Sequence, residues 1–402
     1  MQQVQQGLKE NWRQFVLLVL VNALVGGMIG VERSIFPQFA VEVFGLTAHS
    51  AVLSFITAFG FSKAATNYFT GRLANRLGRR NLLIAGWVIA LPVPIILLHT
   101  AHWEYVILSN ILLGIHQGLA WSSTVVMKID LVGTKNRGLA MGLNEFAGYL
   151  SVGIMAFFTG WLAQHYGVRP CPFYVAEGIA VAGLLLTLLW VRDTGIFVRQ
   201  ESTLAPSQQV PGNVFMETTF RNKTLSAVTQ AGMVNNLNDG MIWGLLPVYL
   251  ASLQYGQSDI GLLAAVYPTV WGLGQLFTGK MADTLSKKRM LFWGMSGQAF
   301  AIMILPFTGH FWAIAGLGML LGAGTALVYP TFLTVIAGAS TPAQRAETVG
   351  IFRWWRDTGY AVGAIISGVT ADAWGIPSAI LLIGMLTLIS ALVIQWRMPD
   401  PI

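Results

Sequence analysis

The chain has 402 residues, of which 54% are hydrophobic and 10% charged, with 44 glycines and a mean hydropathy of +0.62. Such a chain has too little polar surface to cover a water-soluble globule, so it is predicted to be an integral membrane protein. The formal net charge of +7 is compatible with either nucleic-acid binding or a membrane topology, and the positions of the cations distinguish the two.

Apolar runs of about 20 residues predict transmembrane helices, because a helix satisfies its own backbone hydrogen bonds in lipid. Twelve such runs follow one another, and we number them spans 1 to 12. The first is long enough to cross a membrane and lacks a small-residue cleavage site after it, so no cleavable signal peptide is expected. Cys171 is the single cysteine, which excludes a disulfide or a thiolate metal site within the chain. The spans cover residues 15–39, 50–70, 82–100, 105–127, 139–163, 171–191, 224–250, 258–278, 290–308, 311–336, 347–371 and 376–396.

Cations are concentrated in the loops after the even-numbered spans 2 to 10, whereas the opposite loops contain only Arg169. By the positive-inside rule, the cation-rich loops and both termini are expected on the cytoplasmic side of the cytoplasmic (inner) membrane. Topology then accounts for the net charge, and no nucleic-acid partner is expected. The cations are Arg72, Arg76, Arg79, Arg80, Lys135, Arg137, Arg192, Arg199, Arg221, Lys223, Lys280, Lys287, Lys288, Arg289 and Arg345.

The chain repeats itself with an offset of 208 residues, which matches "YFTGRLANRLGRRNLL" around Gly71 to "LFTGKMADTLSKKRML" around Gly279. The same offset places Gly114 on Gly322. The repeat predicts an all-α membrane protein with a six-helix unit at 1–191 and another at 224–402. The polar stretch 192–223 between them is predicted to be a cytoplasmic linker.

The loop between spans 2 and 3 resembles the signature of the major facilitator superfamily, G-x-L-A-D-R-x-G-R-R. The resemblance implies two pseudo-symmetric six-helix bundles around a central cavity, which rock against each other in alternating access. It also implies that this loop and its degenerate copy form a conformational latch on the cytoplasmic side. The latch residues are Gly71, Asn75, Arg76, Gly78, Arg79, Arg80, Gly279, Asp283, Lys287 and Lys288.

The chain departs from the superfamily's patterns at three places. Asn75 stands where the family has aspartate, so the latch is expected to be weaker, or Asp283 carries the charged role. Span 4 has Gly114 where many proton-coupled members have arginine, and His116 is the nearest titratable group there. Span 5 lacks the Gly-Pro pair typical of drug exporters.

Charged and amide side chains within the spans are the candidates for substrate and coupling sites. An intramembrane charge costs about 2.5–3.5 kcal/mol on insertion scales, and it usually faces a cavity or a partner. An ion pair between Arg353 and Asp357, four residues apart, and helix–helix hydrogen bonds along span 7 are the structural alternatives. The candidates are Glu32, Arg33, Asn235, Asn238, Asp239, Arg353, Arg356 and Asp357.

Other polar residues in the spans are secondary candidates, namely Asn22, His116, Asn144 and Glu145. A lone histidine such as His116 is more often a hydrogen-bonded structural residue than a proton carrier. Lys63 lies two turns before the latch, and we expect it to extend toward the cytoplasmic interface.

No metalloprotease, serine-hydrolase or ATP-binding motif is present, so the chain is predicted to be a secondary transporter and not an enzyme. Arg33 and Arg356 suit a carboxylate, and the weak preference is a small anionic or zwitterionic organic solute. Exporters of amphipathic cations are one alternative, and a transport-inactive receptor or scaffold is the other.

Asp239, with only amides beside it, is expected to take up the coupling proton, whereas Asp357 stays ionised beside its arginines. We expect a monomer in the lipid bilayer without a cofactor or metal.

Overall fold

The structure is a computed structural model that describes residues 5–132, 137–197, 213–340 and 344–399. Within these ranges the chain forms long helices connected by short turns. The first half contains α1 (Trp12–Arg33), α2 (Phe36–Phe44), α3 (His49–Val52), α4 (Ser54–Leu77), α5 (Arg79–Ala90), α6 (Pro92–His99), α7 (Trp103–Val132), α8 (Arg137–Tyr166) and α9 (Cys171–Leu189). The second contains α10 (Val214–Met216), α11 (Lys223–Ser252), α12 (Gln257–Thr284), α13 (Lys287–Ile304), α14 (Phe311–Ala339), α15 (Arg345–Trp374) and α16 (Ile376–Arg397).

Three of the predicted spans consist of two consecutive pieces. Span 1 is α1 followed by α2, span 2 is α3 followed by α4, and span 3 is α5 followed by α6. Prolines stand in the first turns of α2 and α6, where their missing N–H has no intrahelical partner to lose. The predicted linker lies partly on 198–212, outside the described residues, so its course stays a prediction.

Among the described residues, eight helical segments are long and apolar enough to cross a membrane, or nine if the bent pair Phe36–Phe44 and His49–Thr70 is one span. The helices of at least 18 residues that do not meet this test on their own are α4, α7, α11 and α15. Each buries polar side chains, for example Lys63, Gln117, Asp239 and Asp357. Their low hydropathy therefore reflects polar side chains that face other helices instead of lipid.

Close helix packing repeats with the 208-residue offset that the sequence shows. A methyl group on Gly114 would lie 2.6 Å from the Phe59 carbonyl oxygen, and one on Gly322 would lie 2.7 Å from that of Tyr267. Residue 267 is 208 positions after residue 59, so corresponding helices cross at corresponding points. The turns at Gly167 and Gly375 also correspond, with φ of +81° and +84°. The two bundles are thus pseudo-symmetric.

The halves pack against each other along two helix pairs, α8 with α12 and α4 with α15. Contacts at the helix ends lie on the side opposite to the turn between α4 and α5. There Gln257 Nε2 donates to the Ser34 carbonyl oxygen at 2.7 Å, and the Ser258 amide donates to Gln164 Oε1 at 2.6 Å. In this structure, the halves are therefore joined on that side, which the positive-inside rule predicts to be periplasmic.

Candidate functional site

Charged side chains from both halves meet between the bundles, about midway along the helices. Arg33 at the end of α1 is 2% exposed, and its guanidinium lies 5.2 Å from the centroid of the Phe59 ring and 5.3 Å from that of Trp243. Phe59 belongs to the first half and Trp243 to the second. Cation–π contacts thus hold Arg33 at the junction of the halves.

Asp239 on α11 is fully buried and only half satisfied. Its Oδ1 accepts a hydrogen bond from the Tyr267 hydroxyl, whereas no donor among the described residues makes a well-formed hydrogen bond to Oδ2, although the Tyr360 hydroxyl lies near the carboxylate. Arg356 and Lys63 are close enough for their charges to act on this carboxylate. One carboxylate oxygen is therefore available to a proton or to a ligand.

Asp357 on α15 is, in contrast, surrounded by donors. Asn67 Nδ2 donates to its Oδ2 at 2.5 Å, Asn236 Nδ2 to its Oδ1 at 3.4 Å, and Arg356 lies 3.5 Å from Oδ1. Since Asn67 comes from the first half and the other donors from the second, Asp357 connects the halves. Both carboxylate oxygens of Asp357 are therefore occupied by donors of the chain itself.

Arg356 lies beside Asp357 and across the face of an aromatic ring. Its guanidinium is 4.5 Å from the centroid of the Tyr329 ring. Its Nε and one terminal nitrogen are buried and make no hydrogen bond among the described residues. These free donors suit an anionic group of a ligand, because guanidinium binds carboxylate with two parallel hydrogen bonds.

The ion pair considered for Arg353 and Asp357 is not formed within the described residues. Arg353 is directed toward the first half, where its terminal nitrogen lies 3.5 Å from Ser122 Oγ on α7. Asp357 pairs with the adjacent Arg356 instead. The four-residue spacing thus placed Arg353 and Asp357 near each other but did not determine their partners.

Glu32 and Asn235 are buried with unsatisfied polar atoms. Both carboxylate oxygens of Glu32 and both side-chain atoms of Asn235 lack a hydrogen-bond partner among the described residues. Among the described residues, Glu32 forms no ion pair with the adjacent Arg33, whose guanidinium lies against Phe59 and Trp243 instead. The polar atoms of Glu32 and Asn235 are therefore available to hydrogen-bond with a ligand.

Lys63 differs from its prediction. It is 7% exposed, and its ammonium lies 5.5 Å from the Phe59 ring centroid and 5.0 Å from that of Tyr360. Tyr360 belongs to the other half, so Lys63 is directed to the junction and not to the cytoplasmic interface. Aromatic faces and the nearby carboxylates stabilise the cation there.

Sequence reasoning also missed the amides and aromatic residues that complete this region. Asn67 and Asn236 bind Asp357, and the Tyr149 ring stacks on that of Trp271 with the centroids 3.5 Å apart. Tyr149 lies on α8 and Trp271 on α12, one helix from each half. Neighbouring asparagines at 235 and 236 were a visible signal for a polar face, but aromatic residues are too common in apolar spans to stand out.

Asn238 lies within the second half. Its amide donates to Gln298 Oε1 at 3.0 Å and accepts a hydrogen bond from Thr387 Oγ1 at 2.6 Å. These partners are on α13 and α16, so Asn238 has the helix–helix role that was considered as the alternative. We leave it out of the proposed site.

The secondary candidates lie within the first half. His116 Nδ1 is 2.9 Å from the Gly86 carbonyl oxygen, and its ring lies against Trp87. Asn22 donates to the Asn144 carbonyl oxygen at 2.7 Å, and Asn144 donates to Glu145 at 3.0 Å. Glu145 also accepts from Trp121 Nε1, so this cluster binds α1, α7 and α8 together.

The predicted latch is described only in part. Arg79 Nε lies 3.5 Å from Asp130 Oδ2, which also accepts a hydrogen bond from Thr194 at 2.7 Å. The Arg80 amide donates to Asp193 Oδ2 at 2.9 Å, and Gly78 makes the turn with φ of +86°. The side chains of Asn75 and Asp283 lie outside the described residues. The role of the latch stays a prediction for all its members, including Gly71, Arg76, Gly279, Lys287 and Lys288.

No group of three or more histidine, cysteine, aspartate or glutamate side chains that suits a metal ion occurs in the described part of the chain. The buried charges Arg33, Lys63, Asp239, Arg356 and Asp357 instead lie in one region between the two bundles. That arrangement is typical of secondary transporters, whose two repeats enclose the substrate near the middle of the membrane.

The model of the Major Facilitator Superfamily matches residues 16–223 and 228–402, and the chain belongs to this family. It is a multi-pass membrane transporter and not an enzyme. The multidrug resistance protein MdtG of Proteus mirabilis is 24% identical over 378 residues, covering 91% of each chain. MdtG of Enterobacter lignolyticus is 23% identical, covering 95% of this chain and 91% of that protein.

Solved structures share the fold. The human organic anion transporter MFSD10 (TETRAN) superimposes with a TM-score of 0.71 at 14% identity, covering 95% of this chain and 99% of that one. A POT family transporter in complex with a thioalcohol-conjugated peptide superimposes with a TM-score of 0.76 at 12% identity, covering 96% of both chains. At such identities the likeness shows the fold alone.

Proposed function

We propose that the chain is a secondary active transporter that moves a small anionic or zwitterionic organic solute across the cytoplasmic membrane by alternating access, coupled to protons. The observation that carries this proposal is the meeting of buried charges from both halves, with unused donors on Arg356 and an unused oxygen on Asp239. Charged side chains within the membrane are energetically unfavourable, and a protein that served only as a scaffold would not need them. The proposal includes a monomer with both termini in the cytoplasm.

The charge balance of the site supports the preference for an anionic group. The cations Arg33, Lys63, Arg353 and Arg356 face the carboxylates of Glu32, Asp239 and Asp357. With all of these groups ionised, the region has one cation in excess. A substrate carboxylate would balance the excess, whereas an organic cation would increase it.

Export of amphipathic cations is the second candidate. The relatives are named multidrug resistance proteins, and the aromatic faces of Tyr149, Trp271 and Tyr329 suit planar organic molecules. A proton on Glu32 or Asp239 would compete with such a substrate, because it would raise the positive charge of the site further.

The test is counterflow in proteoliposomes across a labelled panel of anionic, zwitterionic and cationic solutes, with imposed pH and sodium gradients. We expect uptake of an anionic or zwitterionic solute driven by the pH gradient. Arg356→Gln should raise KM for that solute about tenfold, which corresponds to the loss of one charge-assisted interaction. The exposed Arg289→Gln is the matched control and should leave KM unchanged.

Two results would contradict the proposal. Transport restricted to amphipathic cations would assign the site to the second candidate. Binding without counterflow of any solute, by protein with a normal thermal unfolding transition, would indicate a receptor or scaffold.

A further inference from the structure

A polar cavity lies at the cation-rich end of the first half and shares no lining residue with the charged region between the bundles. It has a volume of about 730 Å³ and is bounded by the starts of α1 and α5 and by the segment that follows α9. This volume falls within the range of about 300–1,000 Å³ that is typical of small-molecule sites. Its lining includes Arg13, Arg80, Trp190 and Arg192.

The cavity has three guanidinium groups and one carboxylate, and the carboxylate is already used. Asp193 Oδ2 accepts from the Arg80 amide at 2.9 Å, and Oδ1 accepts from the Gly195 amide at 2.7 Å. Arg13 and Arg192 form no ion pair among the described residues, and Arg80 Nε is buried without a hydrogen bond. The cavity therefore has cationic donors in excess of its anionic acceptors.

Hydrogen bonds hold the cavity wall in place. Gln14 on α1 donates to the Trp190 carbonyl oxygen at 2.7 Å and accepts from the Arg192 amide at 3.0 Å. Arg80 donates to the Leu188 carbonyl oxygen at 2.8 Å. These bonds connect α1, α5 and the end of α9, so the backbone positions that carry the three arginines are held around one space.

Apolar surface continues from the cavity along the same helices. Trp12 and Trp190 flank it and are more than half exposed, as tryptophans at a membrane interface are. Leu20 on α1 and Leu185 and Leu189 on α9 are exposed further into the predicted spans. A ligand with a phosphate head and acyl chains would match both the cationic cavity and the apolar surface beside it.

We propose that this cavity binds the phosphate-bearing headgroup of an acidic phospholipid, with the acyl chains against α1 and α9. Guanidinium groups recognise phosphate through paired hydrogen bonds, and each arginine at the membrane surface strengthens binding of an anionic lipid about fivefold. Cations placed only for topology would need neither a shared cavity nor hydrogen bonds that order its wall.

The experiment is native mass spectrometry of the full chain with dioleoyl phosphatidylglycerol or dioleoyl phosphatidylcholine. We expect phosphatidylglycerol to bind at least about tenfold more tightly. The double variant Arg13→Gln/Arg192→Gln should lose about tenfold or more of that affinity, since each charge contributes about fivefold. The exposed pair Lys223→Gln/Arg289→Gln removes the same charge elsewhere and should keep the preference.

Three outcomes would overturn the proposal. Equal binding of the two lipids would show that the arginines serve only to keep this end of the helices on the cytoplasmic side. Equal losses of phosphatidylglycerol affinity in the two double variants would show the same. Displacement of phosphatidylglycerol by millimolar inorganic phosphate or glycerol 3-phosphate would assign the cavity to a soluble phosphate compound.

Discussion

At the scale of single residues, the two central aspartates differ in what surrounds them. Asp357 receives hydrogen bonds on both oxygens, whereas Asp239 has the Tyr267 hydroxyl on one oxygen and, among the described residues, no well-formed hydrogen bond on the other, near which the Tyr360 hydroxyl lies. A carboxylate with fewer donors loses less when it is protonated. Asp239 is therefore our candidate for the residue that takes up the coupling proton.

Asp239→Asn is expected to abolish accumulation driven by a pH gradient while sparing solute exchange, because exchange requires no net proton movement. Proteoliposomes with and without an imposed gradient separate the two activities. Glu104→Gln, at an exposed position near the start of α7, is the control and should retain both. If Asp239→Asn still accumulates solute at the normal rate under a pH gradient, Asp239 does not take up the coupling proton, and Glu32 becomes the candidate.

Lys63→Gln tests whether this buried cation takes part in substrate binding. Because its ammonium lies between Phe59 and Tyr360 at the junction of the halves, we expect KM for an anionic solute to rise about tenfold, as for the loss of a charge-assisted interaction. The exposed Lys223→Gln serves as the control. An unchanged KM in Lys63→Gln would show that the lysine has a structural role only.

At the scale of helices, small residues determine where the halves touch. A methyl group on Gly160 of α8 would lie 2.8 Å from Gly261 Cα and 2.9 Å from the Gln257 carbonyl oxygen on α12. Both obstacles are backbone atoms, which cannot rotate away. Glycines at this crossing let the two helices approach closely, as small residues do in other membrane proteins.

Gly160→Ala is expected to lower the thermal unfolding midpoint, because overpacking of this kind costs about 1–3 kcal/mol. Gly178→Ala on α9 is the matched control, since a methyl group there meets nothing within 4 Å. Circular dichroism melts of the purified variants provide the measurement. If both variants melt at the same temperature, the close crossing is not required for stability.

At the scale of the whole molecule, Asp372 at the end of α15 holds the halves together on the predicted periplasmic side. It accepts hydrogen bonds from the His49 amide at 2.6 Å and the Ser50 amide at 3.0 Å, at the start of α3. Partial burial raises the pKa of Asp372, but the hydrogen bonds from Ser50 and His49 outweigh burial and lower that pKa from its usual 3.8 to about 2. The ionised form therefore favours the closed arrangement.

Separation of the halves would remove these donors and return the pKa of Asp372 toward 3.8. The contribution of Asp372 to closure is thus fully present above pH 3.8 and is lost as the pH falls through about 2. Asp372→Asn should mimic the acid form and shift the population toward periplasmic opening by about two- to fivefold, from about 0.3–1 kcal/mol of helix-dipole interaction.

Labelling of a cysteine at Leu53 in a Cys171→Ala background reports this opening, because Leu53 is fully buried against Gly244 in the closed form. Asp259→Asn, an exposed acid in the first turn of α12, is the control. Equal labelling rates in Asp372→Asn and the control would contradict the role of Asp372 in closure.

The sequence by itself determined the class of protein, the number of spans and the repeat. These features depend on local hydropathy, on loop charge and on self-similarity, none of which requires knowledge of distant contacts. It also identified Glu32, Arg33, Asp239, Arg356 and Asp357 as costly charges that need an explanation. The superfamily model over 16–223 and 228–402 confirms the family.

Only the tertiary structure decided which polar residues face each other. Asn238 and Asp239 are neighbours, yet the first binds α13 and α16 and the second is directed to Tyr267, since adjacent positions on a helix point about 100° apart. Lys63 could extend either way along its helix, and the aromatic faces that hold it come from residues 59 and 360. The polar contacts between halves join residues nearly 300 positions apart, as between Asn67 and Asp357, and no local pattern in the sequence encodes them.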